Sequence, residues 1–379
     1  MIVPGTGDRL KNPSKEWAAH LWTGADLFAW LRLMAHGRYA FDLKHLYIGM
    51  TVTAVSAANT FLRYAQNHHF GERIKNTPFA EDPVFILGHW RGGTTLLHEY
   101  LMLDSRLACP STAECFNPCH SLLTNKYLIK YFGWMLPNRR LIDNMAMGWE
   151  RPQEDEFAMC LLGAPSPYLR IAFPNSGLVD EAAYDLDDLS EADCQRWEKT
   201  FYHLLQTFNY HHRKRLVLKS PPHTCRIPTL LKMFPGARFI HLVRNPYTVF
   251  LSTVNLWKTL HQAQGLHAPT NHGIEEYVFD RFLHFFHRYE ATKSLIPKGQ
   301  LIEMRYEDLV EDPITQVESV YRQLSLGDFE AVRGRLQDYV KANAGYKRNK
   351  WTLPVELRDQ ISKRWGEVIR QYGYSPPEG

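Results

Sequence analysis

The order of apolar runs and helical patterns along the 379-residue chain predicts an α/β fold, with a central parallel sheet between two layers of helices. Four short apolar runs have the length and composition of buried strands, and each precedes a turn and a segment with helical apolar spacing. The strand candidates are 84–87, 216–218, 239–243 and 301–304; the helices that follow are 94–103, 227–234, 246–260 and a segment after Asp312-Pro313. Strands that alternate with helices in this way form parallel βαβ units.

Two further helical regions adjoin these strand–helix units. Residues 14–75 are rich in Ala, Leu and aromatic residues with few helix breakers. We therefore assign residues 1–80 to an N-terminal helical region and 81–379 to the main domain, with a mostly helical insertion at about 115–213 between the first two predicted strands. A chain of this length with 45% hydrophobic residues can bury a large core.

The segment 46–62 carries no charged side chain and is followed by Arg63. It lies at the short limit of the ~20 residues that span a bilayer. Polar residues interrupt it, namely Thr51, Thr53, Ser56, Asn59 and Thr60. We expect a helix that is buried or packs in a homo-oligomer, with peripheral membrane association and a membrane span as the alternatives.

Composition limits the class of ligand and the cellular setting. The formal net charge of +4 suits an anionic small molecule but is too weak and dispersed for nucleic acid. The six cysteines lack the paired spacing of a zinc site, and the cysteine–histidine stretch 115–120 has the wrong spacing, so we expect no metal. Residues 1–13 do not resemble a signal peptide. We expect a cytoplasmic protein, with membrane association as the alternative.

The residues between the first strand and its helix form a glycine-rich loop, GHWRGGTT at 88–95. The pair Gly92-Gly93 allows the backbone to surround an anion, the next helix N-terminus favours negative charge, and Thr94-Thr95 add hydroxyl donors. The P-loop of nucleotide triphosphatases has Lys directly after its last glycine, whereas this chain has Thr94 there and carries Arg91 ahead of the glycine pair. The displaced cation suits a 5′-phosphosulfate, which needs no metal. A P-loop-type kinase or nucleotide hydrolase is the alternative.

A second anion-binding pattern follows the third predicted strand. Arg244 ends that strand, and Ser252 lies two turns into the next helix. A guanidinium and a hydroxyl in these positions can converge on one phosphate. Because both patterns follow parallel strands of one sheet, we expect them to bind opposite ends of a 3′,5′-bisphosphorylated nucleotide.

These two segments, PVFILGHWRGGTT at 83–95 and RFIHLVRNPYTVFLST at 238–253, resemble motifs of the sulfotransferases that use 3′-phosphoadenosine 5′-phosphosulfate (PAPS). The resemblance covers about residues 83–350, and Arg91 in place of lysine is similar to the tyrosylprotein and carbohydrate-type branch. It implies a three-layer P-loop-like fold. It also implies binding of the 5′ end of PAPS by Arg91, Gly92, Gly93, Thr94 and Thr95, and of its 3′-phosphate by Arg244 and Ser252.

Two later segments are similar to further parts of that nucleotide site. Tyr306, in MRYEDLVEDP, matches a tyrosine near adenine, and a tyrosine that packs in the core is the alternative. The segment YKRNKW at 346–351 resembles a late loop over the 3′-phosphate, with Lys347 and Arg348 as candidates. It lacks the glycine that ends the family's motif, and a solvated basic loop is the alternative.

Sulfuryl transfer needs a base for the acceptor hydroxyl and cations for the charge on the leaving group. The resemblance implies that Lys219, at the end of the second predicted strand, stabilises the transition state together with Arg91. The resemblance favours Glu114 as the base, because the tyrosylprotein-type branch has its glutamate base in a comparable place, and two alternatives stay open. Glu114 lies after the phosphate-loop helix, His223 follows Lys219 by four residues, and Glu154, Asp155 and Glu156 form a carboxylate cluster. The alternative for this cluster is that its acids only stabilise the start of a helix, where negative charge is favoured.

The sequence therefore predicts a PAPS-dependent sulfotransferase that acts on a hydroxyl-bearing acceptor. A glycan, lipid, sterol or phenol is compatible with the aromatic content and the helical insertion, and the apolar segment 46–62 favours a lipid. The alternative from another class is a non-catalytic, membrane-peripheral protein that keeps the nucleotide fold.

Overall fold

The computed structural model describes residues 20–37, 41–136, 147–175, 181–345 and 353–376. Within them, one sheet contains five parallel strands in the order β2-β3-β1-β4-β5. The strands are β1 (Val84–Leu87), β2 (Leu107–Ala108), β3 (Arg215–Lys219), β4 (Arg238–Val243) and β5 (Leu301–Arg305). The four predicted strands are confirmed. Sequence reasoning did not find β2, which is two residues long and pairs only with β3.

Helices surround the sheet and also form the N- and C-terminal parts of the described chain. They are α1 (Leu27–His36), α2 (Leu46–Lys75), α3 (Thr94–Leu101), α4 (Thr112–Phe116), α5 (Ser121–Phe132), α6 (Asp155–Leu161), α7 (Glu191–His212), α8 (Ile227–Met233), α9 (Pro246–Gln264), α10 (Ile274–Thr292), α11 (Tyr306–Glu311), α12 (Pro313–Leu324), α13 (Glu330–Ala342), α14 (Val355–Arg364) and α15 (Gly366–Tyr372).

Alternate side chains of the strands pack into two different cores, which makes three layers. Val84 and Ile86 of β1 pack with α3, α12 and α13 on one face. Phe85 and Leu87 pack with α7 and α8 on the other face. Every residue of β1 is buried, as expected of a parallel strand that is covered on both sides. The predicted α/β architecture with a central parallel sheet is confirmed.

The N-terminal helices pack against the rest of the chain through a third core. Trp22 and Trp30 are buried in the cluster that contains Trp90 of the glycine-rich loop and Trp257 of α9. The indole nitrogen of Trp22 donates to the carbonyl of Gln264 at the end of α9, at 2.8 Å. The boundary near residue 80 and the insertion at about 115–213, which contains α4 to α7, stay predictions as domain assignments.

The uncharged segment 46–62 is the first half of α2, and only one of its faces is buried. Gly49, Val52, Ser56 and Asn59 point inward, whereas residues on the opposite face are exposed. The expectation that this helix is buried is therefore wrong for its exposed face in the single chain. Packing of the exposed face against a second copy of the chain stays a prediction. Among the described residues, no helix is long and apolar enough to cross a membrane.

Candidate active site

The carboxyl ends of four neighbouring strands bring the predicted site residues to one edge of the sheet. From β1 the chain moves first to β2 and β3 on one side and later to β4 and β5 on the other. The edge beyond β1 is thus a topological switch point, where ligands of such sheets bind. Along this edge the structure places Lys219 at the end of β3, the loop 88–93 after β1, Arg244 after β4 and Tyr306 after β5.

The glycine-rich loop has a backbone that glycine makes possible. Gly93 has φ of +94° and precedes α3, and a Cβ atom there would lie 2.0 Å from the ring of Tyr306. Gly88 has φ of +144°, and its N–H donates to the hydroxyl of Thr224 at 2.8 Å. Side chains at these two glycines would be strained and would collide with their neighbours. The loop is therefore held tightly against the ends of β3 and β5.

The two predicted anion motifs meet at this loop. The Nε of Arg91 donates to the hydroxyl of Ser252 at 2.8 Å. The Nη1 of Arg244 donates to the carbonyl oxygen of Arg91 at 2.9 Å. Residues from the β1 loop, the end of β4 and helix α9 thus form one group of donors, with two guanidinium groups on the same side of the sheet edge.

Tyr306 lies under this group. The Arg244 guanidinium is 4.2 Å from the centre of its ring, and its ring edge faces Gly93. The tyrosine is buried in the core with β5 and α12. Its ring packs against the glycine-rich loop and supports it. Contact of Tyr306 with adenine stays a prediction.

A chain of hydrogen bonds joins the end of β3 to the glycine-rich loop. Lys219 Nζ donates to Glu154 Oε1 at 2.6 Å, and the hydroxyl of Tyr168 donates to Glu154 Oε2. The indole nitrogen of Trp90, in the loop, donates to the Tyr168 hydroxyl at 3.0 Å. Burial and the neighbouring Glu154 raise the pKa of Tyr168 well above its usual value, which keeps the phenol protonated. Glu154 thus lies in a fixed position beside a buried lysine.

The next two carboxylates also bind the segment that follows β3, but both are fully buried. Asp155 accepts hydrogen bonds from His223 at 2.7 Å and Ser220 at 2.9 Å. Burial alone would raise the pKa of Asp155, but the charge and hydrogen bond of His223 lower it overall. Glu156 binds Arg226 with both oxygens, at 2.5 and 3.1 Å. Of the three consecutive acids only Glu154 retains an exposed fraction, which is 13%.

His223 has no exposed surface and packs between Phe85 and Phe201. Its hydrogen bond to Asp155 ties the segment after β3 to the start of α6. A base must reach the acceptor hydroxyl, so complete burial does not favour this candidate. Its catalytic role stays a prediction.

Glu114 has structural partners that occupy both of its oxygens. It forms a capping box with Ser111 at the start of α4, and its carboxylate is 2.8 Å from His211 Nδ1 and 3.0 Å from His212 Nε2. Burial would raise the pKa of Glu114, but these hydrogen bonds lower it far below its usual value. A carboxylate that is stabilised in this way is a weak base. Lys219 pairs instead with Glu154.

Glu114, His211 and His212, which we call the Glu114 cluster, also bear on the expectation that the protein binds no metal. The ligand atoms of Glu114, His211 and His212 lie within 4.8 Å of one another, which is close enough for an ion. The expectation of a metal-free protein therefore stays a prediction. The candidates Lys347 and Arg348 lie outside the described residues.

A small cavity lies beside the loop, between Gly92, Arg244 and the aromatic side chains of α10. Its volume is about 50 Å³, and a single water needs roughly 10–15 Å³ of such space. Burial lowers the pKa of both histidines that line it, His89 and His241, to about 3, so these rings are neutral.

The fold and the site define a class of protein before any comparison. A glycine-rich loop with two arginines at the switch point of a parallel sheet is suited to an anionic nucleotide. A lysine–carboxylate pair beside that loop is suited to group transfer to a hydroxyl. These features indicate a nucleotide-dependent transferase.

Comparison with known proteins identifies the family. A model of the sulfotransferase family matches residues 83–330, and the chain belongs to this family. It is a sulfotransferase, as the two motifs predicted. The family match does not favour the kinase or hydrolase alternative. The likeness to the tyrosylprotein-type branch stays a prediction.

Relatives of known function and solved structures agree with this assignment. The chain is 40% identical over 360 residues to the omega-hydroxy-beta-dihydromenaquinone-9 sulfotransferase Stf3 of Mycobacterium bovis, with 95% of this chain and 92% of the relative covered. The crystal structure of sulfotransferase STF9 from Mycobacterium avium matches with a TM-score of 0.66 at 17% identity, over 93% of each chain. That of STF1 from Mycobacterium tuberculosis matches with 0.59 at 17% identity, over 89% and 90%. The solved structures support the fold, and the relative supports the activity.

Proposed function

We propose that this chain transfers the sulfuryl group of PAPS to a hydroxyl group of a lipid, with Glu154 as the base. The assignment of the base depends on one observation, the 2.6 Å pair between Glu154 and Lys219. Hydrogen bonds connect this pair to the glycine-rich loop. The lipid acceptor is inferred from the relative that acts on a hydroxylated dihydromenaquinone and matches 95% of this chain.

The residues at the sheet edge fit a 3′,5′-bisphosphorylated nucleotide. Arg91, Arg244 and Ser252 are joined by hydrogen bonds of 2.8 and 2.9 Å, so their donors are already gathered without a ligand. The glycines of the loop let its backbone pack closely against Tyr306 and Leu242, where a Cβ atom would clash. In this proposal Arg244 and Ser252 bind the 3′-phosphate, and Arg91 to Thr95 bind the 5′ end.

The order of the strands gives this nucleotide a direction along the edge. Arg244 and Tyr306 follow β4 and β5, the loop follows β1, and Lys219 ends β3 on the opposite side. A nucleotide with its 3′-phosphate near Arg244 and its 5′ end at the loop would have its reacting end beside Lys219 and Glu154. The acceptor would therefore enter from the β3 side.

The chain's own residues can carry the proton and the charge. PAPS supplies the electrophilic sulfur and a phosphate leaving group. Glu154 accepts the proton of the acceptor hydroxyl, while the ammonium of Lys219 and the guanidinium of Arg91 stabilise negative charge on the leaving oxygen. The hydrogen bond from Tyr168 fixes the orientation of the Glu154 carboxylate. No proton has to pass through Glu114 or His223.

The test compares Glu154→Gln with Glu114→Gln, since both change a carboxylate to an amide of the same size. We expect Glu154→Gln to lower kcat by about 10²- to 10⁴-fold, as for loss of a general base, with unchanged affinity for adenosine 3′,5′-bisphosphate. Glu114→Gln should retain kcat within a few-fold. Sulfated product is measured by mass spectrometry with an ω-hydroxylated polyprenyl quinol as acceptor.

Two outcomes would overturn parts of the proposal separately. Loss of turnover in Glu114→Gln and not in Glu154→Gln would make Glu114 the base. Turnover by the wild type with a glycan or a phenol, and none with any hydroxylated lipid, would remove the lipid acceptor but leave the base assignment in place.

A further inference from the structure

The large apolar side chains that are exposed in the described residues are concentrated in one part of the molecule. Of sixteen such residues, nine lie between Phe28 and Tyr64, on α1, α2 and their connection. Single exposed apolar residues are ordinary, whereas a contiguous apolar surface indicates a binding partner. The nine are Phe28, Leu31, Leu43, Leu46, Tyr47, Met50, Val55, Phe61 and Tyr64.

The exposed residues of α2 form a stripe along the helix. Leu46, Met50, Phe61 and Tyr64 fall on one side at helical spacing, with Ala54 and Ala57 between them exposed as well. Phe61 is 73% exposed and Met50 62%. At ~1.5 Å per residue the stripe is about 27 Å long. We call it the outer face of α2.

Helix α1 lies alongside this face. The backbone N–H of Leu27 donates to the hydroxyl of Thr60 at 2.9 Å, and the Trp30 indole donates to that of Thr53 at 2.9 Å. Phe28 and Leu31 are therefore exposed on a helix that is fixed beside the outer face. Two neighbouring helices together present apolar residues to solvent.

Basic residues outnumber acidic ones in the sequence around the outer face. From residue 26 to residue 75 it contains Asp26, Asp42 and Glu72 against Arg32, Arg38, Lys44, Arg63, Arg73 and Lys75, and Arg63 is paired with Asp26. The Asp42 carboxylate accepts a hydrogen bond from the Ala268 N–H at 2.6 Å. An apolar surface with basic surroundings and exposed tyrosines has the composition of a helix that lies in an anionic lipid interface.

We propose that α1 and the outer face of α2 form a docking surface for an anionic lipid bilayer, in which α2 lies parallel to the membrane plane. This inference deepens the proposed function and rests on it in one respect, since a lipid acceptor would be taken from that membrane. A second copy of the chain is a poorer occupant, because a symmetric contact would place the same basic residues against each other. The apolar side chains would enter the boundary between headgroups and acyl chains.

The test uses sedimentation of the full chain with vesicles of phosphatidylcholine, with or without about one third phosphatidylglycerol. The variant Met50→Ser/Phe61→Ser changes two exposed residues that take no part in the active site. Leu295→Ser/Val355→Ser is the matched control, because both residues are 55% exposed elsewhere on the chain. We expect the wild type and the control to bind anionic vesicles, and the first variant to bind at least about 10-fold more weakly, because two apolar side chains no longer enter the lipid.

Several outcomes would overturn the docking surface. It is wrong if the wild type binds neither kind of vesicle, or if Met50→Ser/Phe61→Ser binds as tightly as the wild type. A wild-type dimer that this variant converts to a monomer, without vesicle binding, would assign the outer face to a second copy. Turnover with a short-chain, water-soluble hydroxyl acceptor should be equal in all three proteins. Vesicle binding without sulfation of any hydroxylated lipid would leave the docking surface in place and remove the proposed acceptor.

Discussion

Glu154 and Glu114 both lie at the start of a helix, yet their surroundings differ. Glu154 precedes α6 and is bound by Lys219 and Tyr168, with 13% of its side chain exposed. Glu114 lies in the first turn of α4 and is bound by Ser111, His211 and His212. Its side chain is 3% exposed.

The difference lies in the exposure and the partners of the two carboxylates, and it is the basis of the proposed roles. The two histidines lower the pKa of Glu114 and close its access to solvent, so it binds two elements, α4 and the end of α7, to each other. Glu154 accepts a hydrogen bond from Lys219 on one oxygen and from Tyr168 on the other, and it keeps the larger exposed fraction. Position in the sequence favoured Glu114, and the geometry favours Glu154.

After Glu154→Gln, the largest expected effect comes from Lys219→Met, which removes the cation of the Glu154 pair and keeps the length of a buried side chain. We expect kcat to fall by about 10²- to 10³-fold, as for loss of one donor to a developing negative charge. Steady-state kinetics with a hydroxylated lipid measure the change. Lys232→Met is the control, since Lys232 pairs with Glu198 on the surface. A kcat within a few-fold of the wild type would show that Lys219 has no part in the chemistry.

Glu114→Gln should have its main effect on stability. The variant weakens the charge-assisted bonds of the buried residue 114 to His211 and His212, which we expect to lower the free energy of unfolding by about 1–3 kcal/mol. Denaturant unfolding measures the difference, with Glu154→Gln as the comparison. A larger stability loss in Glu154→Gln than in Glu114→Gln would reverse the two assignments.

The smallest expected effect is the pH dependence of the Glu114 cluster. The hydrogen bond with Glu114 raises the pKa of His211, so its contribution to stability is complete below the unfolded pKa of about 6.5 and is lost as pH rises through the higher folded value. We expect His211→Gln to be less stable than the wild type by under ~1 kcal/mol at pH 5.5, because the ring is half exposed. The deficit should shrink at higher pH.

A double-variant cycle checks this origin. Unfolding curves are compared at pH 5.5 and pH 9 for His211→Gln alone and in the Glu114→Gln background. Without the carboxylate, His211→Gln should show no pH-dependent deficit. If the loss of stability in His211→Gln had the same size and pH profile in both backgrounds, the pH dependence would not arise from the pairing of His211 with Glu114.

Much of the fold and the position of the two arginines could be predicted from the sequence, because both depend on local patterns. The strands 84–87 and 239–243 are short apolar runs with turns after them; Arg244 follows its strand directly, and Arg91 lies four residues after its strand. Parallel strands bring such positions to one edge, whatever connects them. The contact of Arg91 with Ser252 agrees with that expectation.

The remaining features depend on contacts that local patterns do not record. Glu154 and Lys219 are 65 positions apart, and the insertion between them determines their meeting. The strand β2 has two residues and exists through its pairing with β3. The segment 46–62 is uncharged on all sides, so its hydropathy could not tell which face of α2 is buried.

The run Glu154-Asp155-Glu156 fixes the alignment of two distant pieces of chain. Its three acids bind Lys219, His223 and Arg226 in the same order along the sequence. Deleting or inserting one residue in either piece would rotate the side chains at the start of a helix by about 100°. The fully buried charged groups would then no longer face their partners. Variation in loop length among homologous chains should therefore fall outside 154–156 and 219–226, whereas the long stretch between them is free to change in size.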